Sequence, residues 1–157
     1  MDEKKTLEIL SAVPLTEAQQ NRIKALGKHI HLTVSAGKSY ADLPKEAWEK
    51  AEVFFTDGKQ LPAREQVPAL KWIQISLAGV NQALKQPLAA DPGVVITSAS
   101  GVMISQMGEY VLMALLMLGH KLPEIIALQR EHKWGNNASK SLQPVELRGS
   151  TVGIVGY

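Results

Sequence analysis

The stretch LKWIQIS, residues 70–76, contains the aromatic Trp72 and the β-branched Ile73 and Ile75, and it favours a buried strand. Similar short apolar runs lie on both sides of it along the chain. They occupy residues 6–12, 29–34, 52–56 and 94–97. Helical patterns and proline-containing links separate these runs. Strands that alternate with helices favour a parallel sheet that is covered on both faces. We therefore predict an α/β fold built on a flavodoxin-like, doubly wound parallel sheet.

Two local signals place helices between these strands. Thr16 is followed three residues later by Gln19, a spacing that is typical of a capping box at the start of a helix. Pro44 is typical of a first helical turn and predicts a short helix through Trp48. Both helices lie between consecutive predicted strands, as crossover connections of a parallel sheet require.

The composition of the 157 residues excludes several classes of function. There is no cysteine, which excludes disulfides, thiolate catalysis and cysteine-based zinc sites. The 17 basic and 15 acidic side chains are spread through the chain without a basic stripe, so we expect no nucleic-acid partner. The first residues do not form a signal peptide, and the longest apolar stretch, residues 110–119, is about half of a membrane span. We expect a soluble, cytoplasmic protein with no membrane contact.

After Gly101 the pattern changes to a helix over residues 102–118. Its second half, residues 111–118, is apolar on every side. A helix that is apolar all round must be buried all round, and five short strands can cover only one side of it. We predict that a second subunit covers the other side. The alternative is a core helix inside one subunit.

The last third of the chain continues with a second helix that has Pro123 near its first turn and ends around Trp134-Gly135. Residues 151–156, TVGIVG, then predict a buried strand that enters a glycine turn. The sequence stops one residue later, at Tyr157, so we expect that it is interrupted at this turn.

Three groups of segments, in this order and spacing, resemble the D-2-hydroxyacid dehydrogenases over about residues 70–157. The segments are LKWIQ (70–74) with AGV (78–80); GVVIT (93–97) with GV (101–102) and GEY (108–110); and ELRG (146–149) with TVGIVG (151–156). The first 69 residues match the family only in general pattern.

The resemblance implies two domains and a redox function. Residues 1–98 would form the flavodoxin-like substrate domain. Residues 99–157 would begin an NAD(P)-binding Rossmann domain, with the first strand of that domain and a helix at 102–119 that pairs with its twin in a homodimer. The implied reaction is hydride transfer between NAD(P)H and a small-molecule 2-oxo or 2-hydroxy acid. The family's catalytic arginine, histidine and carboxylate lie beyond residue 157 in the pattern, so we expect no catalytic residue and no turnover in this chain.

The resemblance also implies a few site residues. The backbone amides of Leu77, Ala78, Gly79 and Val80 would hold the substrate carboxylate, and small residues there allow an anion to approach the N–H groups closely. The alternative is a tight turn that needs glycine only for its dihedral angles.

On the cofactor side, Gly156 would be the first glycine of the G-x-G-x-x-G motif. Met107 would approach the nicotinamide, where the family more often has valine, or would be an ordinary core residue. Ser98 stands where many family members have asparagine.

Other polar residues support weaker hypotheses. His29 and His31 share one face of a predicted strand, but no nearby carboxylate or cysteine completes a ligand set, so we predict no metal site. Asp57 follows the third strand, where phospho-acceptor signalling domains keep an aspartate. The first strand lacks the acids and the fifth strand the lysine that such a domain needs. This alternative and a non-catalytic binding or dimerisation module both remain open.

Overall fold

The computed structural model describes residues 5–35, 43–133 and 142–155. The chain divides into two compact units, Met1–Val102 and Met103–Tyr157. The predicted Trp134-Gly135 helix end and Gly156 lie outside the described residues.

The first unit contains five strands and two helices. In chain order these are β1 (Leu7–Ser11), α1 (Glu17–Lys24), β2 (Ile30–Val34), α2 (Lys45–Lys50), β3 (Val53–Thr56), β4 (Trp72–Ile75) and β5 (Val95–Thr97). Three 3₁₀ turns lie between the later strands, at Arg64–Gln66, Ala83–Lys85 and Pro87–Ala90. Each strand falls inside the segment that the apolar pattern predicts.

The five strands form one parallel sheet in the order β2-β1-β3-β4-β5. This is the strand order of flavodoxin-like folds, so the predicted fold class is confirmed. The order reverses direction between β1 and β3, because the chain first adds β2 on one side and then the remaining strands on the other. In open sheets of this kind, ligands bind outside the carboxyl ends of the strands.

The local helix signals are also confirmed. Thr16 caps α1: its hydroxyl accepts a hydrogen bond from the Gln19 amide at 3.3 Å, and the Gln19 side chain accepts one from the Thr16 amide at 2.8 Å. Pro44 immediately precedes α2. The Thr16 cap satisfies backbone donors that the first turn of a helix otherwise leaves unpaired.

The core lies on one face of the sheet. Leu10, Phe54 and Ile73 occupy matching positions of β1, β3 and β4, and all three are buried. Trp48 of α2 packs edge-on against Phe54, with ring centroids 4.9 Å apart. Residues of the links before and after β4 complete this core, namely Val67, Leu70, Ala83 and Leu88.

The second unit contains two helices, α3 (Ile104–Gly119) and α4 (Leu122–Arg130). Helix α3 begins two residues later than predicted, since residues 101–103 form a turn in which Gly101 has a φ of +91°. None of its side chains is buried. The alternative of a helix enclosed within one subunit is therefore not what this structure shows. Among the described residues, no single helix is long and apolar enough to span a membrane, although α3 and α4 taken together, bent by 63°, meet that length and composition.

The predicted strand at residues 151–155 is not formed. These residues have no strand conformation and are exposed, with Val155 fully accessible. A strand exists only where a neighbouring strand accepts and donates its backbone hydrogen bonds. No described strand pairs with residues 151–155, so the expected first strand of a Rossmann domain is absent from the described part of the chain.

Candidate functional site

The carboxyl ends of β3 and β4 bring two loops side by side. Thr56, the last residue of β3, pairs with Ile75, the last residue of β4. The Ser76 amide then donates to the Thr56 carbonyl at 2.8 Å. Because neighbouring strands lie about 5 Å apart, residues 57–59 and 77–80 leave the sheet as adjacent segments. This pair of loops is the carboxyl-edge site.

Loop 77–80 is held at both of its ends. The Leu77 carbonyl accepts from the Ala99 amide at 3.0 Å, and the Val80 carbonyl accepts from the Leu84 amide at 3.0 Å. The Val80 side chain packs against the core, whereas the Leu77 side chain is half exposed. Among the described residues, no oxygen accepts from the amides of Ala78, Gly79 and Val80. Three consecutive backbone donors are therefore available to an anionic ligand.

Gly79 does not have a conformation that requires glycine. Its φ lies outside the left-handed region, and a Cβ added to it would meet no atom within 4 Å. An alanine could therefore occupy this position without strain in the protein itself. The space beside Gly79 is open, which is the condition that close approach of a ligand to the backbone would need.

The loop after β3 holds an ion pair. Lys59 Nζ lies 2.8 Å from Asp57 Oδ2, and the Lys59 amide donates to Asp57 Oδ1 at 3.0 Å. The hydrogen bond from the Lys59 ammonium is the main cause that lowers the pKa of Asp57, and the same bond raises the pKa of Lys59. Both side chains are therefore charged near neutral pH.

Gly58, between these two residues, does require glycine. Its φ is +77°, and an added Cβ would lie 3.0 Å from Ile75 Cδ1 and 3.3 Å from Ala83 Cβ. Its amide donates to the Thr56 hydroxyl at 3.2 Å. The left-handed turn thus packs closely against β4 and the 3₁₀ turn that follows loop 77–80.

Gln86 connects the two loops. Its Nε2 donates to the Gly58 carbonyl at 3.0 Å and to the Gln82 carbonyl at 3.2 Å, and its Oε1 accepts from the Leu61 amide at 2.6 Å. One side chain therefore bonds to the segment after β3 and to the segment after loop 77–80.

A cavity of about 580 Å³ lies elsewhere, between residues 61–65 and 86–92. Its main charged group, Arg64, donates to the carbonyls of Val67 and Leu70 at 3.1 and 2.9 Å, and forms an ion pair with Asp91 at 3.0 Å. Arg64 lies in the segment that leads into β4, and Asp91 lies in the segment that leads into β5, so the cavity is near the amino ends of these strands. Because the arginine is engaged with the protein itself, this cavity is a structural junction rather than the candidate site.

The comparisons with known proteins agree with this fold. No family model matches the chain. D-3-phosphoglycerate dehydrogenase of Archaeoglobus fulgidus is 26% identical over 152 residues, which is 96% of this chain and 28% of that relative. The solved D-lactate dehydrogenase of Aquifex aeolicus, complexed with NAD and lactic acid, matches 88% of this chain and 41% of its own with a TM-score of 0.59 and 17% identity.

A second solved structure, a D-isomer specific 2-hydroxyacid dehydrogenase of Xanthobacter autotrophicus Py2 in complex with NADPH and MES, has a TM-score of 0.61 and 19% identity over 83% of this chain and 41% of its own. The resemblance to the D-2-hydroxyacid dehydrogenases is confirmed. The structures establish the shared fold, and the phosphoglycerate dehydrogenase establishes the similarity in sequence. The chain spans 28% of the length of that relative and 41% of each solved chain.

The site residues that the resemblance implies have different surroundings. Leu77, Ala78, Gly79 and Val80 form the loop with the free amides. Met107 lies in the first half of α3, where its side chain is exposed. These assignments stay predictions, as does that of Gly156, which is not among the described residues.

Two other predicted features lie outside the carboxyl-edge site. The Ser98 hydroxyl accepts from the Ser100 amide at 3.3 Å, which forms the turn at the end of the first unit. His31 Nδ1 lies 3.3 Å from Glu8 Oε2 across β1 and β2. In the part of the chain that the structure describes, no three histidine, aspartate or glutamate side chains lie together as metal ligands would.

Sequence reasoning missed Lys59 and Gln86. The Asp57-Gly58-Lys59 tripeptide does carry a usable signal, because an aspartate before glycine favours a turn in which its carboxylate accepts from the following backbone. Gln86 carries none, since the oxygen of Gly58 that it contacts is 28 residues away along the chain.

Proposed function

We propose that this chain supplies the substrate domain and the dimer helix of an NAD(P)-dependent D-2-hydroxyacid dehydrogenase. The observation that carries the proposal is the 26% identity to D-3-phosphoglycerate dehydrogenase along 96% of this chain. Two structures of the same fold support it, since one holds NAD with lactic acid and the other NADPH. The reaction would transfer a hydride between the nicotinamide and a 2-oxo or 2-hydroxy acid.

In this function, loop 77–80 would bind the carboxylate of the acid. The amides of Ala78, Gly79 and Val80 have no acceptor among the described residues, and the space beside Gly79 is open. Backbone amides that point to one place form a concave site for an anion. A charge-assisted hydrogen bond to a carboxylate is also stronger than one between neutral groups.

The described residues do not form a dinucleotide site. Residues 151–155, which precede Gly156, are exposed and form no strand in this structure. The nicotinamide would supply or accept the hydride, and the contribution that we assign to this chain is binding and orienting the acid. We propose that the 157-residue chain binds 2-oxo acids without reducing them.

Helix α3 would form the homodimer. The second half of the helix, residues 111–118, is apolar on every side, and none of the side chains of α3 is buried. Exposed apolar surface of this size indicates a protein–protein contact. A second copy offers the same surface, as the two-fold symmetry of most homodimers requires.

The proposal is tested by titrating the ¹⁵N-labelled 157-residue chain with pyruvate and following the backbone amides by NMR. Saturable shifts at Ala78, Gly79 and Val80 are expected. Gly79→Val should weaken pyruvate binding at least about tenfold, because the larger side chain occupies the approach to the amides. Its free energy of unfolding in urea should change much less. Gly79→Ala is the matched control, with a smaller loss of binding.

Three outcomes would contradict the proposal. Equal losses of binding and stability in Gly79→Val would indicate that loop 77–80 is a tight turn that needs glycine only for its dihedral angles. An absence of pyruvate-dependent shifts at these amides would remove the carboxylate site. Shifts at Asp57 that depend on Mg²⁺ would favour a phospho-acceptor domain instead. Measurable reduction of pyruvate by NADH with the pure chain would separately refute the absence of turnover.

A further inference from the structure

The carboxyl-edge site carries charge at one place. In the five residues that follow β1, β3, β4 and β5, the charged side chains are Asp57 and Lys59. The other side chains of those four segments are apolar, small or neutral. A ligand that binds at the ends of these strands therefore meets a single ion pair, which lies beside the free amides of loop 77–80.

The ion pair has a fixed place in the site. The Thr56–Ile75 pairing sets the two loops side by side, as described above. The Gly58 carbonyl accepts from Gln86, and the Gly58 turn packs against Ile75. The Lys59 side chain is 69% exposed and that of Asp57 39% exposed, so both can face a ligand.

Each of the two charges offsets part of the effect of the other on a ligand nearby. Both groups are ionised at neutral pH, and their charged atoms are 2.8 Å apart. An anionic group that approaches Lys59 is attracted by the ammonium and repelled by the Asp57 carboxylate at a similar distance. An anion could gain the full attraction of Lys59 only by displacing Asp57.

Resting on the proposed function, we propose that the Asp57–Lys59 ion pair acts as a charge filter beside loop 77–80. It leaves the binding of a 2-oxo acid with one carboxylate unaffected and gives an acid that carries a second anionic group little net attraction. The first carboxylate is bound by the backbone amides and needs no cation. The second would reach the ion pair, where Asp57 offsets part of the attraction of Lys59.

The test compares a monoanion, pyruvate, with a dianion, 2-oxoglutarate, by NMR titration of the 157-residue chain. Asp57→Asn keeps the side-chain oxygen that accepts from the Lys59 amide but removes the negative charge. It should raise the affinity for 2-oxoglutarate relative to pyruvate about 5- to 10-fold at low salt. Lys59→Gln should shift the same ratio in the opposite direction. Both shifts should shrink at high salt, because added ions screen exposed charges.

The outcomes separate this inference from the proposed function. If pyruvate shifts the amides of loop 77–80 but the ratio of affinities stays within twofold in Asp57→Asn, the filter is refuted and the carboxylate site stands. If both variants shift the ratio in the same direction, the effect comes from altered loop structure, and the filter is again refuted. If pyruvate does not bind to the unmodified chain, the proposed function fails and the filter with it. Opposite, salt-sensitive shifts support the filter.

Discussion

The two units of this chain place their apolar residues differently. In the first unit, Leu10, Phe54 and Ile73 are buried between the sheet and the segments that cover it. In the second unit, the second half of α3 is apolar on every side, and the helix has no buried residue. Within that unit the helix contacts α4, and its last residue, Gly119, accepts from the Val145 amide at 2.7 Å. Apolar residues are buried only where the chain also provides the surface that covers them.

The largest expected effect tests this difference directly. Phe54→Ala should lower the free energy of unfolding by about 3–5 kcal/mol, because it leaves a cavity in a packed core. Leu116→Ala, on the exposed helix α3, should cost less than about 1 kcal/mol in the monomer. Urea unfolding at a concentration where the chain is monomeric measures both. A similar loss of unfolding free energy for Leu116→Ala would show that α3 is covered in solution. The two units would then not differ in the burial of their apolar residues.

The next prediction concerns the proposed dimer, because dimerisation would bury the exposed apolar side chains of α3. Light scattering of the unmodified chain should give the mass of a dimer. Leu112→Glu should raise the dissociation constant at least about 100-fold, because the variant buries an unpaired charge in an apolar contact. Ala127→Glu, at an exposed position of α4, is the matched control and should leave the dimer intact. A monomeric unmodified chain would disprove the assignment of α3 as a dimer helix.

Two glycines of the carboxyl-edge site should respond differently to the same change. Gly58→Ala should lose about 1–3 kcal/mol of stability, because Gly58 has a left-handed backbone and its neighbours leave no room for a Cβ. Gly79→Ala should be neutral or should gain up to about 1 kcal/mol, since alanine restricts the unfolded chain. Thermal or urea unfolding of both variants checks this. A large loss in Gly79→Ala would mean that loop 77–80 needs glycine for its own fold.

The smallest expected effect concerns Glu52, which follows α2 and is largely enclosed. Its Oε2 lies 2.6 Å from Lys71 Nζ and 3.5 Å from Lys5 Nζ, and the hydrogen bond from Lys71 is the main cause that lowers the pKa of Glu52. A carboxyl group with a lowered pKa stabilises the fold above its ordinary pKa, and this contribution is lost as the pH falls through the lowered value.

Glu52→Gln should therefore cost about 0.5–1 kcal/mol at pH 7, and this cost should fall towards zero as the pH falls through the lowered pKa of Glu52. The measurement is urea unfolding of both proteins as a function of pH. Lys45, which pairs with Glu49 on the exposed face of α2, provides the control: Lys45→Gln should have a smaller effect that changes little with pH. A cost of Glu52→Gln that does not change with pH would point to lost packing rather than lost charge.

The carboxyl-edge site could be predicted only in part. The resemblance pointed to loop 77–80 through the segment Ala78-Gly79-Val80, and the role of this loop as a carboxylate site stays a prediction. The ion pair of Asp57 and Lys59 is also local, but its importance depends on which strand lies beside β3. The contact of Gln86 with loop 57–59 could not be found, because the Gly58 carbonyl lies 28 residues away along the chain.

The sequence by itself determined the five strands, the capped first helix and the α/β class. Each of these depends on the periodicity and capping preferences of a few neighbouring residues. The tertiary structure alone decided that loops 57–59 and 77–80 are adjacent, and that residues 151–155 form no strand. Both outcomes depend on strand pairing, in which the hydrogen-bond partners come from distant segments, so no local pattern specifies them.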